Sequence, residues 1–359
     1  MAAPRLLLAA VTVFVALAAS IAPASATTLQ PQLLPSLGGG TALPAAANNN
    51  GVIVGSSTTS SGEFHAVVWR DGTIEDLGTL GGGSSEATAI DDQNRIVGSS
   101  LGADNRYHAV MWQEVTTTDR RRRTSVRWRI SELATPGDGP WAEARDINRA
   151  GTIVGRYTVG QGFSAQFEGS RGFIWRGGAL TTLDLTPGVQ ARAINDQDQV
   201  VGAHSHTLST PEVFPAAFLW QNGVGRDLGT LGGRSSWAYD INNRAQVVGE
   251  SGTADRRNAG FIWQDGVMRP LPIDRTDVVS YVAASINDAG NVAGTAAVPD
   301  TTRSRALFWS SPDAQPQTLA VPTGHLDATA SAVTPQGWAL GHAARLTPTS
   351  VALSAVVWR

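Results

Sequence analysis

A short apolar alternation recurs along this chain at a nearly constant interval. Each occurrence opens with small residues leading to an isoleucine, as in Ala87-Thr-Ala-Ile90, Ala191-Arg-Ala-Ile194, Ala238-Tyr-Asp-Ile241 and Ala283-Ala-Ser-Ile286. Period-two patterning of this length predicts a strand. A turn rich in Asn and Gly follows, clearest at Asn287-Asp-Ala-Gly290, where side-chain-to-backbone bonds or positive φ suit those residues. A second strand carries an apolar-Gly pair: Val54-Gly55, Val97-Gly98, Val154-Gly155, Val201-Gly202, Val248-Gly249, Ala293-Gly294 and Leu340-Gly341. A third strand ends in Trp69, Trp112, Trp175, Trp220, Trp263, Trp309 or Trp358, and a fourth ends in Leu, as at Asp76-Leu77 and Asp227-Leu228.

Successive glycines of these pairs lie 43, 57, 47, 47, 45 and 47 residues apart, which defines seven units with one insertion. Four short strands in about 45 residues, repeated, read as blades of a β-propeller. The first strand is built of Ala and Gly and the third carries Trp, so side-chain volume grows outward as wedge-shaped blades require. The last unit stops at Val356-Val-Trp-Arg359, without a fourth strand, while Leu29 to Gly39 supplies a surplus one ending in Leu-Gly-Gly. Pairing the two would close the ring and remove its sheet edges. The expected architecture is therefore all-β: a seven-bladed propeller over residues 27–359, with residues 27–40 completing the last blade.

The recurrent Asp-Leu-Gly-Thr-Leu-Gly-Gly (from Asp76 and Asp227), Ile-Asn-x-x-Gly, Val-Val-Gly and His-Ala-Val (His65, His108) motifs resemble the extracellular HAF-repeat family of bacterial proteins. The resemblance covers essentially the whole chain after position 26. It implies a secreted repeat protein of β-propeller type, and it brings no established catalytic residues.

The first 26 residues add an address. Arg5, an apolar run from Leu6 to Ala19 broken by Thr12, and Ala24-x-Ala26 have the three regions of a secretory signal peptide, too short for a membrane span. The expected mature chain begins at Thr27 and is secreted, or held in the cell envelope. With 0 cysteines there is no disulfide, thiolate metal site or lipidated anchor, and the fold must rest on an apolar core. The net charge of −3 creates no field favouring nucleic acid or an anionic membrane. A monomer is expected.

Candidate chemistry is sparse. No nucleophile elbow, phosphate loop or helical metal motif occurs, so no catalytic residue, metal or cofactor is expected. Loops between units share a rim with the loops between second and third strands, and such loops commonly carry binding residues. There, aromatic and polar residues adjoin: Asp138 with Trp141, Arg234 with Trp237 and Tyr239, Tyr281, and His325 with Asp327. Rings beside carboxylates and Arg suit a glycan or a protein partner, although rings just ahead of each first strand also serve packing. His204-Ser-His206 has metal-ligand spacing but no third ligand nearby, and Arg120 to Arg123 form a basic hairpin tip. The recurring Asp92, Asp146, Asp196, Asp240 and Asp288 read as turn residues. The leading expectation is a non-catalytic binding module. The alternative is a propeller enzyme acting on polysaccharide, a glycoside hydrolase or lyase, with its acids drawn from Glu86, Asp138, Glu143 and Asp327.

Overall fold

A computed structural model describes residues 28–359 except 119–123, 137–138, 161–168, 186–187, 208–212, 275–277, 300, 302 and 349, together with the side chains of 206, 207 and 213. Residues 1–27, Arg120–Arg123 and Asp138 lie outside the described residues. The rest forms seven four-stranded antiparallel sheets arranged as a propeller. Its innermost strands are Gly38–Ala47, Gly81–Ile90, Ala142–Ile147, Gln190–Ile194, Gly232–Ile241, Ser280–Ile286 and Asp327–Val333, in blades one to seven. No helix among the described residues is long and apolar enough to cross a membrane.

The ring closes as the surplus strand requires. Pro31–Leu33 pairs with the third strand of blade seven, Val351–Trp358, in the register Pro31↔Trp358, Gln32↔Val357 and Leu33↔Val356. The backbone bonds Gln30 N to Arg359 O (3.0 Å), Arg359 N to Gln30 O (3.1 Å) and Leu34 N to Ala355 O (2.9 Å) extend the seam.

The apolar core divides among the seven blade interfaces. Blades five and six, for example, enclose Val248, Ile262, Tyr281, Val292, Leu307 and Trp309, and blades seven and one enclose Leu340, Ala355, Val357, Ile53, Val67 and Trp69. Of the seven repeat tryptophans, Trp112, Trp309 and Trp358 are wholly buried in these interfaces. Trp69, Trp309 and Trp358 each donate the indole N–H to a loop carbonyl, of Pro35, Pro272 and Ala320, at 2.8 Å. In these three the polar edge of a side chain recruited for its bulk is satisfied.

Each innermost strand carries a β-bulge at the same place, between Pro44 and Ala46, Ala87 and Ala89, Ala144 and Asp146, Ala191 and Ala193, Ala238 and Asp240, Ala283 and Ser285, and Ala330 and Ala332. Opposite every bulge stands the glycine of the apolar-Gly pair. A Cβ there would lie 1.9–2.1 Å from a carbonyl oxygen of the inner strand, such as Gln190 O for Gly202 and Trp237 O for Gly249. The glycine allows the two backbones to approach, and the bulge turns one residue per blade toward the axis.

The insertion in unit two is a lengthened hairpin, Tyr107–Thr118 with Thr124–Glu132. It leans on blade one through Arg70 to Glu114 (2.7 Å) and Trp128 Nε1 to Glu75 (3.0 Å). The His-Ala-Val motifs also acquire a purpose. His65 Nδ1 meets Asp76 at 2.7 Å and His108 Nδ1 meets Glu132 at 2.8 Å, tying third strands to fourth-strand ends.

Candidate ligand site

The seven bulge residues, Ala45, Thr88, Arg145, Arg192, Tyr239, Ala284 and Ser331, line a cavity of about 490 Å³ on the propeller axis. It opens at the face of the short turns, the rim opposite the one that loop length favours. That size suits a small ligand. The lining is lopsided: four of the seven residues are small, and the long ones stand together on blades three, four and five.

Two rings of Asx residues frame the mouth. In the inner ring, Asn48, Asn148, Asn195, Asn242 and Asn287 each donate Nδ2 to a main-chain carbonyl of the next blade, at 2.9–3.1 Å. Asp91 and Thr334 have no amide to give. Arg95 bridges blade two to the Arg149 carbonyl (3.3 Å), and Gln336 bridges blade seven to the carbonyls of Asn48 (3.0 Å) and Asn49 (2.9 Å). In the outer ring, Asn49 binds Asp92 at 2.8 Å, and Asn243 binds both Asp196 and Asp288 at 2.9 Å.

Asp146 and Asp240 do not belong to the turns, which corrects their grouping with the recurring turn acids. They sit on the inner strands, where each spans two blades. Asp146 accepts the N–H groups of Ile147 and Ile194, both at 2.8 Å. Asp240 accepts those of Ile241 (2.8 Å) and Ile286 (2.9 Å) and the Ser285 hydroxyl (2.7 Å). Burial raises the Asp146 carboxyl to about 7 and the Asp240 carboxyl to about 6, against the lowering effect of these bonds.

One tier deeper stand Glu86, Glu143 and Trp237, and here the charges concentrate. Buried Glu143 receives Arg145 at 2.7 Å and Arg156 at 2.6 Å. Burial would raise its pKa, but the two guanidinium groups hold it below the usual range. Glu86, on the neighbouring blade, is raised by desolvation; Arg145 opposes the shift and Glu143 adds to it. Tyr239 donates its hydroxyl to Glu250 at 2.7 Å. Arg192 lies against two rings, 5.5 Å from the centroid of Trp237 and 5.1 Å from that of Tyr239. Its Nε is buried without a hydrogen-bond partner among the described residues.

Of the residues singled out in the sequence, Trp237 and Tyr239 meet here, joined by Arg192 and Arg145, which the pattern did not single out. An arginine in a strand reads as a solvated side chain, and only the bulge makes it axial. Glu86 and Glu143 also come together, whereas Asp327 lies elsewhere on blade seven, accepting Ser304 N at 3.1 Å. Trp141 stacks on Tyr107, ring centroids 4.1 Å apart. Tyr281 is buried, its hydroxyl bonded to the Leu271 carbonyl at 2.8 Å. Exposed Arg234 covers Phe214 at 5.4 Å. His325 borders a second hollow, of about 260 Å³, with Arg345 at the closure seam. His204 is buried and binds Asp227 at 2.7 Å, and among the described residues no group of three His or acidic side chains is placed to hold a metal ion.

No protein-family model and no curated protein matches the chain. Solved structures do. The β-propeller domain of the trilobed protease from Pyrococcus furiosus, described as having an open velcro topology, aligns with a TM-score of 0.55 at 12% identity, over 89% of this chain and 94% of that one. An acylaminoacyl peptidase from Pyrococcus horikoshii aligns with a TM-score of 0.54 at 13% identity over 88% of this chain and 51% of that one, so this chain spans about half the peptidase's length. At such identities the likeness is one of fold, and the fold is a seven-bladed β-propeller.

Proposed function

We propose that the chain is an exported, non-catalytic binding module that takes an extracellular saccharide into the axial cavity at its turn face. The export signal at Leu6 to Ala26 and the HAF-type motifs support the address. The observation that carries the binding reading is the cavity wall. Tyr239, backed by Arg192 and Trp237, offers an aromatic and hydrogen-bonding surface, and the small residues Ala45, Ala284 and Ser331 leave room facing it. A sugar ring presents both an apolar C–H face and hydroxyls, which such a wall meets. The acids of the cavity argue against catalysis. Asp146 and Asp240 are held by backbone N–H groups, and Asp92, Asp196 and Asp288 by asparagines of the rim.

The test is a saccharide panel titrated against the purified chain and its Tyr239→Ala variant. Alanine already occupies the equivalent places at Ala45 and Ala284, so the variant keeps the repeat's geometry. Binding weakened about tenfold or more, equivalent to about 1.4 kcal/mol, supports the reading, and unchanged affinity refutes it.

Glu86 and Glu143 favour a second reading, cleavage of a polysaccharide. Neighbouring carboxyls shifted in opposite directions separate acid and base roles. Release of reducing ends or unsaturated products, abolished in Glu86→Gln, would establish it.

A further inference from the structure

We propose that Arg192 is a carboxylate-binding group, and that the saccharide taken by the cavity is an acidic one carrying a uronate-type carboxylate; this rests on reading the cavity as a saccharide site. Seven equivalent positions face the axis, and two of them hold cations, Arg145 and Arg192 on adjacent blades. Their circumstances differ. Arg145 is neutralised by Glu143, to which it delivers both Nε and Nη2 at 2.7 Å. Arg192 is flanked by rings: Trp237 and Tyr239 lie against it, no acid lies within ion-pairing distance among the described residues, and its Nε is buried and unbonded.

A guanidinium nitrogen withdrawn from water without a partner is costly, and the cost is recovered when an anion arrives. The acids nearest in the cavity do not serve, because Asp146 and Asp240 give their oxygens to the backbone. Two rings flank the guanidinium, and a guanidinium fork matches two coplanar oxygens, the geometry of a carboxylate. In the deep tier Arg145 and Arg156 converge on the single carboxylate of Glu143, and no ion pair to Arg192 forms there among the described residues. The mouth, however, is ringed by Asp92, Asp196 and Asp288, which disfavour a ligand of higher negative charge such as a sulfated or phosphorylated chain. A single carboxylate per sugar ring meets both conditions.

The experiment compares oligogalacturonate and oligoglucuronate with neutral oligosaccharides of the same length and with a sulfated one. Each is titrated calorimetrically into the purified chain and into Arg192→Gln and Arg192→Lys. Uronates are expected to bind about tenfold to a hundredfold more tightly than their neutral counterparts, the range of one charged, forked hydrogen-bond pair. Arg192→Gln should abolish that preference. Arg192→Lys should restore only part of it, since an ammonium lacks the fork. Equal binding of acidic and neutral sugars by the unaltered chain overturns the carboxylate inference and leaves the saccharide reading standing. So does a preference that survives Arg192→Gln, or a stronger response to the sulfated chain. Absence of all saccharide binding overturns both. Should Arg192→Gln fail to fold, the arginine side-chain N–H resonances of the unaltered chain give an independent readout. Movement of the Arg192 signal with uronate and not with neutral sugar sustains the assignment, and indifference to both overturns it.

Discussion

The glycine of each apolar-Gly pair is set by a distance, not by a dihedral angle. At Gly202 the backbone conformation is one that any residue adopts, yet a Cβ would lie 2.0 Å from the Gln190 carbonyl oxygen. Nothing flexible is there to yield, so a methyl group must open the bulge. Gly202→Ala is expected to cost about 3 kcal/mol, the upper part of the range for overpacking. Gly252→Ala is the matched control, because its Cβ would meet nothing nearer than 3.4 Å. Urea unfolding of both variants checks this, and equal losses would remove the special role of the bulge. The glycine was legible as a marker of the period, but its cause was not. Sequence patterning assumes that residues alternate between faces, and a bulge breaks that alternation at a single residue. For the same reason Arg145 and Arg192 escaped notice while Trp237 and Tyr239, marked by their rings, did not.

At the scale of the element, the first turn of five blades performs two tasks with one side chain. Asn195 Oδ1 accepts Gln197 N (3.1 Å) and Gln199 N (3.0 Å), which closes the turn. Its Nδ2 reaches the Asn242 carbonyl at 3.1 Å, which joins blade four to blade five. Blade two solves the same problem with different atoms. Asp91 closes the turn by accepting Gln93 N and Arg95 N at 2.9 Å, and Arg95, four residues on, supplies the missing bridge. The solutions should therefore be transferable as pairs and not singly. Asn195→Asp is expected to lose about 2 kcal/mol, because it removes a buried donor and leaves the Asn242 carbonyl unmet. Adding Gln199→Arg should recover at least half of that loss. A double-mutant cycle on thermal unfolding measures the coupling, and simple additivity would show that the spacing in blade two is incidental. The Asn-to-Gly rhythm of these turns was plain in the sequence. Their linkage around the mouth was not, because the asparagine bonds join residues 43 to 47 positions apart, and the Gln336 bonds residues 287 and 288 apart, that only the ring brings together.

For the whole molecule, closure depends on ties that differ from blade to blade, and two of them respond to pH. The missing fourth strand and the surplus one at Leu29 made the seam readable, since a ring has no spare edge. The axial ties carried no comparable signal: blades one, two, four and seven have Ala46, Ala89, Ala193 and Ala332 where Asp146 and Asp240 bridge blades three to four and five to six. Both carboxyls titrate far above their ordinary value of 3.8, at about 7 and about 6, chiefly because burial penalises the charged form. Neighbouring acids add to the shift, Asp240 and Asp196 for Asp146 and Asp288 for Asp240. The folded ring then holds protons that the unfolded chain has released. Their stabilising effect is full below pH 3.8 and is lost as pH rises through 6 and 7. The melting temperature should therefore decline between pH 4.5 and 8. In an Asp146→Ala/Asp240→Ala variant, which gives blades three and five the residue of their neighbours, most of that slope should vanish even if the variant is less stable at every pH. A slope identical in both proteins would mean that these carboxyls ionise in the ring as freely as in the unfolded chain, and that the two axial ties hold the blades without sensing pH.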